Sequence, residues 1–155
     1  MSLERVKEYF STLEMENRVK ILTGSSATVD QAAQVLGCLP EKIAKTMSFT
    51  LNERQNILIV MAGDARIDNK KYKSFFGKRA KMIPKDFVEQ AIGHSPGGVC
   101  PFAIKPNVDV YLDESLRDFD WIYPAAGDSQ SAVELTPNEL EKYSSAKDWV
   151  DVAKD

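Results

Sequence analysis

Apolar residues at Leu3, Val6, Phe10 and Leu13 recur at helical spacing behind Ser2, which predicts an amphipathic first helix. Arg18–Thr23 reads as a short strand. Thr28-Val29-Asp30-Gln31 has the form of a capping box, opening a helix whose inner face is Val29, Ala32, Ala33 and Leu36, with Gly37 as its stop. Ile57-Leu58-Ile59-Val60-Met61 is an unbroken apolar run, as a central strand covered on both faces requires. Asn69–Phe76 and Pro84–Ile92 predict short helices, the second with Pro84 in its first turn. Val108–Leu112, Trp121–Ala125 and Ser131–Leu135 read as strands, and Thr136-Pro137-Asn138-Glu139 opens a C-terminal helix. Strands and helices alternate without repeats, linkers or low-complexity segments. The expected class is therefore α/β (α+β), one domain over residues 1–155 built around a mixed sheet.

Ile43–Leu51 carries the sharpest local signal. As a strand it places Ile43, Met47, Phe49 and Leu51 on one face and Thr46, Ser48 and Thr50 on the other. Lys45 falls on the apolar face, where an unpaired ammonium is costly to bury. Either it snorkels to water from the strand end, or it projects into a cavity where its charge meets a ligand oxygen.

The chain has 155 residues, 43% hydrophobic and 28% charged, enough to bury a core. No apolar run is long enough to span a membrane, and Met1–Arg5 leads into a helix rather than a signal sequence. Cys38 and Cys100 with one histidine cannot supply a standard structural zinc site, and reduced thiols in a cytoplasm are expected. The net charge of −3 argues against a surface that binds nucleic acid all over. Lys70, Lys71, Lys73, Lys78, Arg79, Lys81 and Lys85 nevertheless cluster without an intervening acid. Such a cluster is either a solvated face or a local phosphate-binding patch.

Gly93-His94-Ser95-Pro96-Gly97-Gly98-Val99-Cys100-Pro101 packs three glycines, the single histidine and a cysteine into one loop. Glycines allow close backbone approach and the prolines restrict φ, so peptide N–H groups are the expected binding elements. Together with Ala44-Lys45-Thr46, with Ala62-Gly63-Asp64 after the apolar strand and with Asp68-Asn69-Lys70-Lys71, this loop resembles the YbaK/prolyl-tRNA-synthetase editing-domain family. The resemblance runs in order from about Ser25 to Leu140.

That resemblance implies a mixed, mostly antiparallel sheet curved into a partial barrel with surrounding helices. It implies a freestanding aminoacyl-tRNA deacylase that cleaves the ester of mischarged tRNA, typically tRNA for proline. No metal or organic cofactor is implied, and prolyl-tRNA synthetase is a further candidate partner. Lys45 would hold the aminoacyl group or the terminal ribose and phosphate, and Gly93, Gly97, Gly98 and Pro101 would shape the pocket. His94 is expected on the pocket wall, with Met47, Phe49 and Phe102 as further candidates. Asp128 and Ser129 would contact substrate from a second loop, or simply make a turn. Lys70, Lys71, Lys73, Lys78, Arg79 and Lys81 would meet acceptor-stem phosphates. Many relatives carry glycine two residues after the motif's proline; here that position is Ala103. Two other readings stay open: a binding module that lost the chemistry, and a thiol enzyme dependent on Cys100.

Overall fold

The computed structural model describes residues 2–155. Chain order is α1 (Ser2–Thr12), β1 (Val19–Ile21), α2 (Val29–Leu36), β2 (Ile43–Asn52), β3 (Gln55–Ala62), α3 (Asn69–Phe76), α4 (Val88–Ile92), β4 (Val108–Asp113), β5 (Tyr123–Pro124), β6 (Ser131–Val133), α5 (Pro137–Tyr143) and β7 (Asp148–Val150). The larger sheet has strand order β5-β2-β3-β4-β7 and curls into a partial barrel, while β1 pairs with β6 separately.

β3 is the hub, as its composition demands. Ile57, Leu58, Ile59, Val60 and Met61 are all fully buried. Leu58 and Val60 face a core closed by Val6 and Phe10 of α1 and Val88 and Ile92 of α4. Ile57, Ile59 and Met61 face a second core under Tyr72 of α3. Burying such side chains stabilises by about 1.5–3 kcal/mol each, so this strand anchors both layers.

β2 keeps the expected register: Phe49 is buried against the α3 side with Met47 and Leu51 packed beside it, and Ile43 is buried against α2. The opposite face is also covered, because Ala44 and Ser48 are buried there. The sheet is mixed, but not mostly antiparallel. β2–β3 is antiparallel, whereas β2–β5, β3–β4 and β4–β7 are parallel. Helices and long crossovers separate the parallel partners in sequence, which is what parallel pairing requires.

Local signals are met in part. Thr28 accepts from the Gln31 N–H at 3.2 Å, but the Gln31 side chain meets Ser25 Oγ, so only half of that capping box forms. At Thr136 both halves form, and Arg18 grips Glu139 at 2.8 and 3.0 Å, tying the turn before β1 to α5. Pro84 precedes a 3-10 turn, Lys85–Phe87, and α4 begins only at Val88. The Trp121–Ala125 strand shrinks to Tyr123–Pro124 flanked by single bridges. β7 has no clear sequence signal; tertiary contacts hold it, including Lys147 N–H to the Val110 carbonyl at 2.7 Å.

The glycine loop is built by three different constraints. Gly93 ends α4 at φ +109°, and its carbonyl accepts from Ser2 Oγ and the Arg5 guanidinium. Gly98 lies backbone to backbone on Gly127–Asp128; a Cβ there would sit 2.4 Å from Asp128 Cα. Gly97 is roomier, with Ser129 Cβ at 3.4 Å from its hypothetical Cβ. Behind the loop, His94, Cys100 and Phe102 are buried with α1; His94 Nε2 lies 2.7 Å from the Phe102 carbonyl, and Nδ1 is buried with no partner. Ala103, two residues after Pro101, adopts φ +53°, a conformation that costs a residue with a Cβ about 1–2 kcal/mol.

Three stability outcomes are expected. Gly98→Ala lowers unfolding free energy by about 1–3 kcal/mol through backbone overpacking, whereas Gly97→Ala stays within about 0.5 kcal/mol; urea titration of both variants measures the contrast. Ala103→Gly raises stability by about 0.5–1 kcal/mol in the same assay by relieving the left-handed strain. Burial lowers the His94 pKa below its ordinary value, so the unfolded chain binds that proton first. Stability is then complete above about pH 6.5 and falls as pH drops below it. A thermal melt series from pH 7.5 to 5 shows this decline, and His94→Gln flattens it.

Candidate functional site

The site follows from how β2's outer edge is paired. β5 covers Ile43 and Ala44. Farther along, the segment around Met82 covers the edge, with the Ile83 N–H donating to the Ser48 carbonyl and the Thr50 N–H to the Lys81 carbonyl. Among the described residues, no strand pairs with this edge at Lys45–Met47. Alternation along an antiparallel strand gives Thr46 the same outward sense as Ser48 and Thr50, so its peptide N–H and C=O point into the gap.

A cavity of about 100 Å³ occupies this gap. Thr28, Val29 and Ala32 from the start of α2 wall one side, and Pro96, Gly97 and Val99 of the glycine loop wall the other. Ser131, Ala132 and Ala125 close the end, and Lys45 and Thr46 lie along the strand. The Thr46 hydroxyl is buried without a hydrogen-bond partner, a costly arrangement for a group that can both donate and accept.

Lys45 stays on the face the register assigns and does not snorkel to open water. Its ammonium donates to the Ala65 carbonyl in the turn after β3. Desolvation lowers its pKa below the usual lysine value, opposed by Asp64 and reinforced by Arg66. That turn is drawn close by Gly63, whose Cβ would lie 2.1 Å from the Pro40 carbonyl. One of three ammonium donors is thus committed, leaving two. In the glycine loop the Gly98 N–H is spent on the Ser95 carbonyl at 2.9 Å, and the Gly93 N–H on Glu89. The Gly97 N–H precedes the turn's first hydrogen bond, as the first N–H groups of any helical turn do, and Gly97 is the glycine that lines the cavity.

Several candidates lie elsewhere. His94 is fully buried behind the loop rather than on the pocket wall, and Phe102 and Pro101 are buried with it. Phe49 belongs to the core under α3. Met47 does not line the small cavity but a neighbouring one. Asp128 accepts from Ser131 Oγ at 2.7 Å and from the Gln130 N–H at 2.9 Å, so it makes a turn that supports pocket-lining Ser131. The Ser129 carbonyl accepts from the Ser26 N–H at 2.6 Å. Cys100 is fully buried, and its thiol is pushed up to about 12 by desolvation; an attacking thiolate is therefore not populated near neutrality.

The basic cluster divides in two. Lys70, Lys71 and Lys73 belong to α3, where Lys71 binds Asp155 at 2.8 Å and Asp151 at 3.2 Å. Lys78, Arg79 and Lys81 are exposed on the segment that continues along β2's edge. Sequence reading assigned no site role to Thr46, Ser26–Thr28 or Ser131. Their signal was available only as a density of small and hydroxyl residues, Thr23 to Thr28, and as Thr46 beside Lys45. Among the described residues, no group of three or more His, Cys, Asp or Glu side chains is placed to hold a metal ion.

A Bacillus subtilis protein of undescribed role, YwhH, is 48% identical over all of this chain and 99% of its own length. An Enterococcus faecalis protein, EbsC, provisionally described as a Cys-tRNA(Pro)/Cys-tRNA(Cys) deacylase, is 26% identical over 73% of this chain and 70% of its own. A solved structure provisionally described as a trans-editing enzyme for prolyl tRNA synthetase superposes with a TM-score of 0.87 at 26% identity, covering 99% of this chain and 98% of that one. The family model for the aminoacyl-tRNA editing domain matches residues 23–143, and the chain belongs to that family.

Proposed function

We propose that the protein is a freestanding hydrolase that removes a wrongly attached amino acid from tRNA, with tRNA for proline as its substrate. The observation that carries the reading is the cavity at the unpaired edge of β2. It brings together a desolvated lysine, an unpartnered hydroxyl and a glycine of the loop, and its wall contains neither His94 nor Cys100. The proline identity rests on the relatives described as acting on Cys-tRNA(Pro) and with prolyl tRNA synthetase.

In this reading the aminoacyl group enters between α2 and the glycine loop. Val29, Ala32 and Ile43 limit it to a small side chain, of the size of alanine or cysteine. Water adds to the ester carbonyl, the C–O bond to the ribose breaks, and the ribose oxygen leaves with a proton. The Gly97 N–H and the two remaining Lys45 donors face the charge that develops on the carbonyl oxygen. Fixed donors of this kind are worth about 3–4 kcal/mol each in a well-measured case. An aminoacyl ester is already reactive, so holding it beside a water supplies much of the remainder.

A panel of tRNA(Pro) charged with alanine, cysteine, serine, threonine or proline tests the reading. Wild type is expected to release one of the small residues and to spare proline. Lys45→Ala is expected to lose about 100-fold in kcat or more, while Cys100→Ala retains activity. Release of none of these amino acids by folded wild-type protein sinks the hydrolase reading in favour of a binding module. Loss of activity in Cys100→Ala alone would favour the thiol enzyme.

A further inference from the structure

The gap in β2's edge does not end at Thr46. A second cavity, of about 320 Å³, adjoins the first and shares Thr46, Pro96 and Val99 with it. Its other walls are chiefly apolar, with Met47, Met82, Ile83 and Val88, and Lys85 is the one charged residue that lines it. Met82 is 55% exposed, although it is a large apolar side chain. It sits directly after Lys81, in the segment that carries Arg79 and Lys78 onward along the strand.

We propose that this second cavity is a nucleobase site, which takes the terminal adenine of the aminoacyl-tRNA while the amino acid occupies the first. The proposal rests on the deacylase reading of the first cavity, and three features of the surface support it. The order along β2 matches the order from acyl group through ribose to base in the substrate: small acyl pocket, buried hydroxyl, then apolar slot. In an aminoacyl adenosine the ribose lies between the acyl group and the base, and Thr46 lies between the two cavities. Its unpartnered hydroxyl can donate to or accept from a ribose hydroxyl. The slot itself suits a flat heterocycle, since thioethers pack well on aromatic faces and the walls offer few polar groups to compete. Lys85 at the slot then meets the 5′ phosphate that branches from the terminal ribose, and Lys81, opposite Thr50 roughly 13 Å along the strand from Thr46, meets a phosphate of the nucleotides upstream.

Two measurements on the full-length protein test this. In the first, protein labelled with 13C at the methionine methyls is titrated with the trinucleotides CCA and CCU. CCA is expected to shift the Met47 and Met82 resonances, assigned with Met47→Leu and Met82→Leu, and CCU to shift them far less. Equal shifts with both, or no shift with CCA, overturn the proposal. In the second, Met82→Glu is assayed on the mischarged tRNA that wild type prefers. Met82 is exposed, so its fold should survive, and its melting temperature is the control. KM is expected to rise about tenfold or more, with kcat nearly constant. Unchanged KM, or a reordered preference among amino acids, overturns the proposal, the latter by placing the acyl group in the second cavity. The two readings fail separately. Hydrolysis without the adenine-dependent shift removes only the base site, and the shift without hydrolysis removes only the chemistry.

Discussion

The central constraint is the incomplete pairing of one strand edge. β2 is held on its inner side by β3 along nearly its whole length, so its position is rigid. On its outer side two unrelated pieces of chain each cover a few residues and stop. Unpaired peptide groups at an edge are normally a liability, to be blunted or covered. Here the gap is framed rather than closed. α2 comes up to it from one face of the sheet and the glycine loop from the other, and both line the cavity.

That framing depends on close backbone approaches. Gly63 lets the turn after β3 reach the Pro40 carbonyl and carry Ala65 to Lys45. Gly98 lets the glycine loop lie on Gly127–Asp128. Asp128 in turn holds Ser131, and Ser131 and Ser26 bond to each other across the end of the cavity. The density of glycine in the loop is thus mainly architectural: one glycine ends a helix, one permits a backbone contact, and one faces the cavity. His94 and Cys100, which look chemical in the sequence, instead fill the space between the loop and α1.

Much of this was legible in the residues because it depends on local rules. Period-two alternation placed Lys45 on an apolar face, and the structure keeps it there. The doubly buried β3 followed from an unbroken apolar run, and α3 and the Thr136 cap followed from short-range side-chain to backbone bonding. The readings that failed needed distant contacts. β7 and the reduced β5 are defined by partners more than thirty residues away, where propensity says little. The parallel pairings depend on where crossovers place whole elements. The single basic cluster divides because Lys71 of α3 pairs with Asp151 and Asp155, whereas Lys81 lies against Thr50 of β2.

The sequence by itself determined the faces of the strands, the caps of the helices and the family to which the chain belongs, since each of these is written in spacing and residue type. Tertiary structure alone decided which groups meet at the gap. Lys45, Thr46, Gly97 and Ser131 come from three separate stretches of chain, and only folding sets their mutual placement. It also decided which reactive-looking side chains are buried, His94 and Cys100, because burial, unlike residue type, is a property of everything packed around a group.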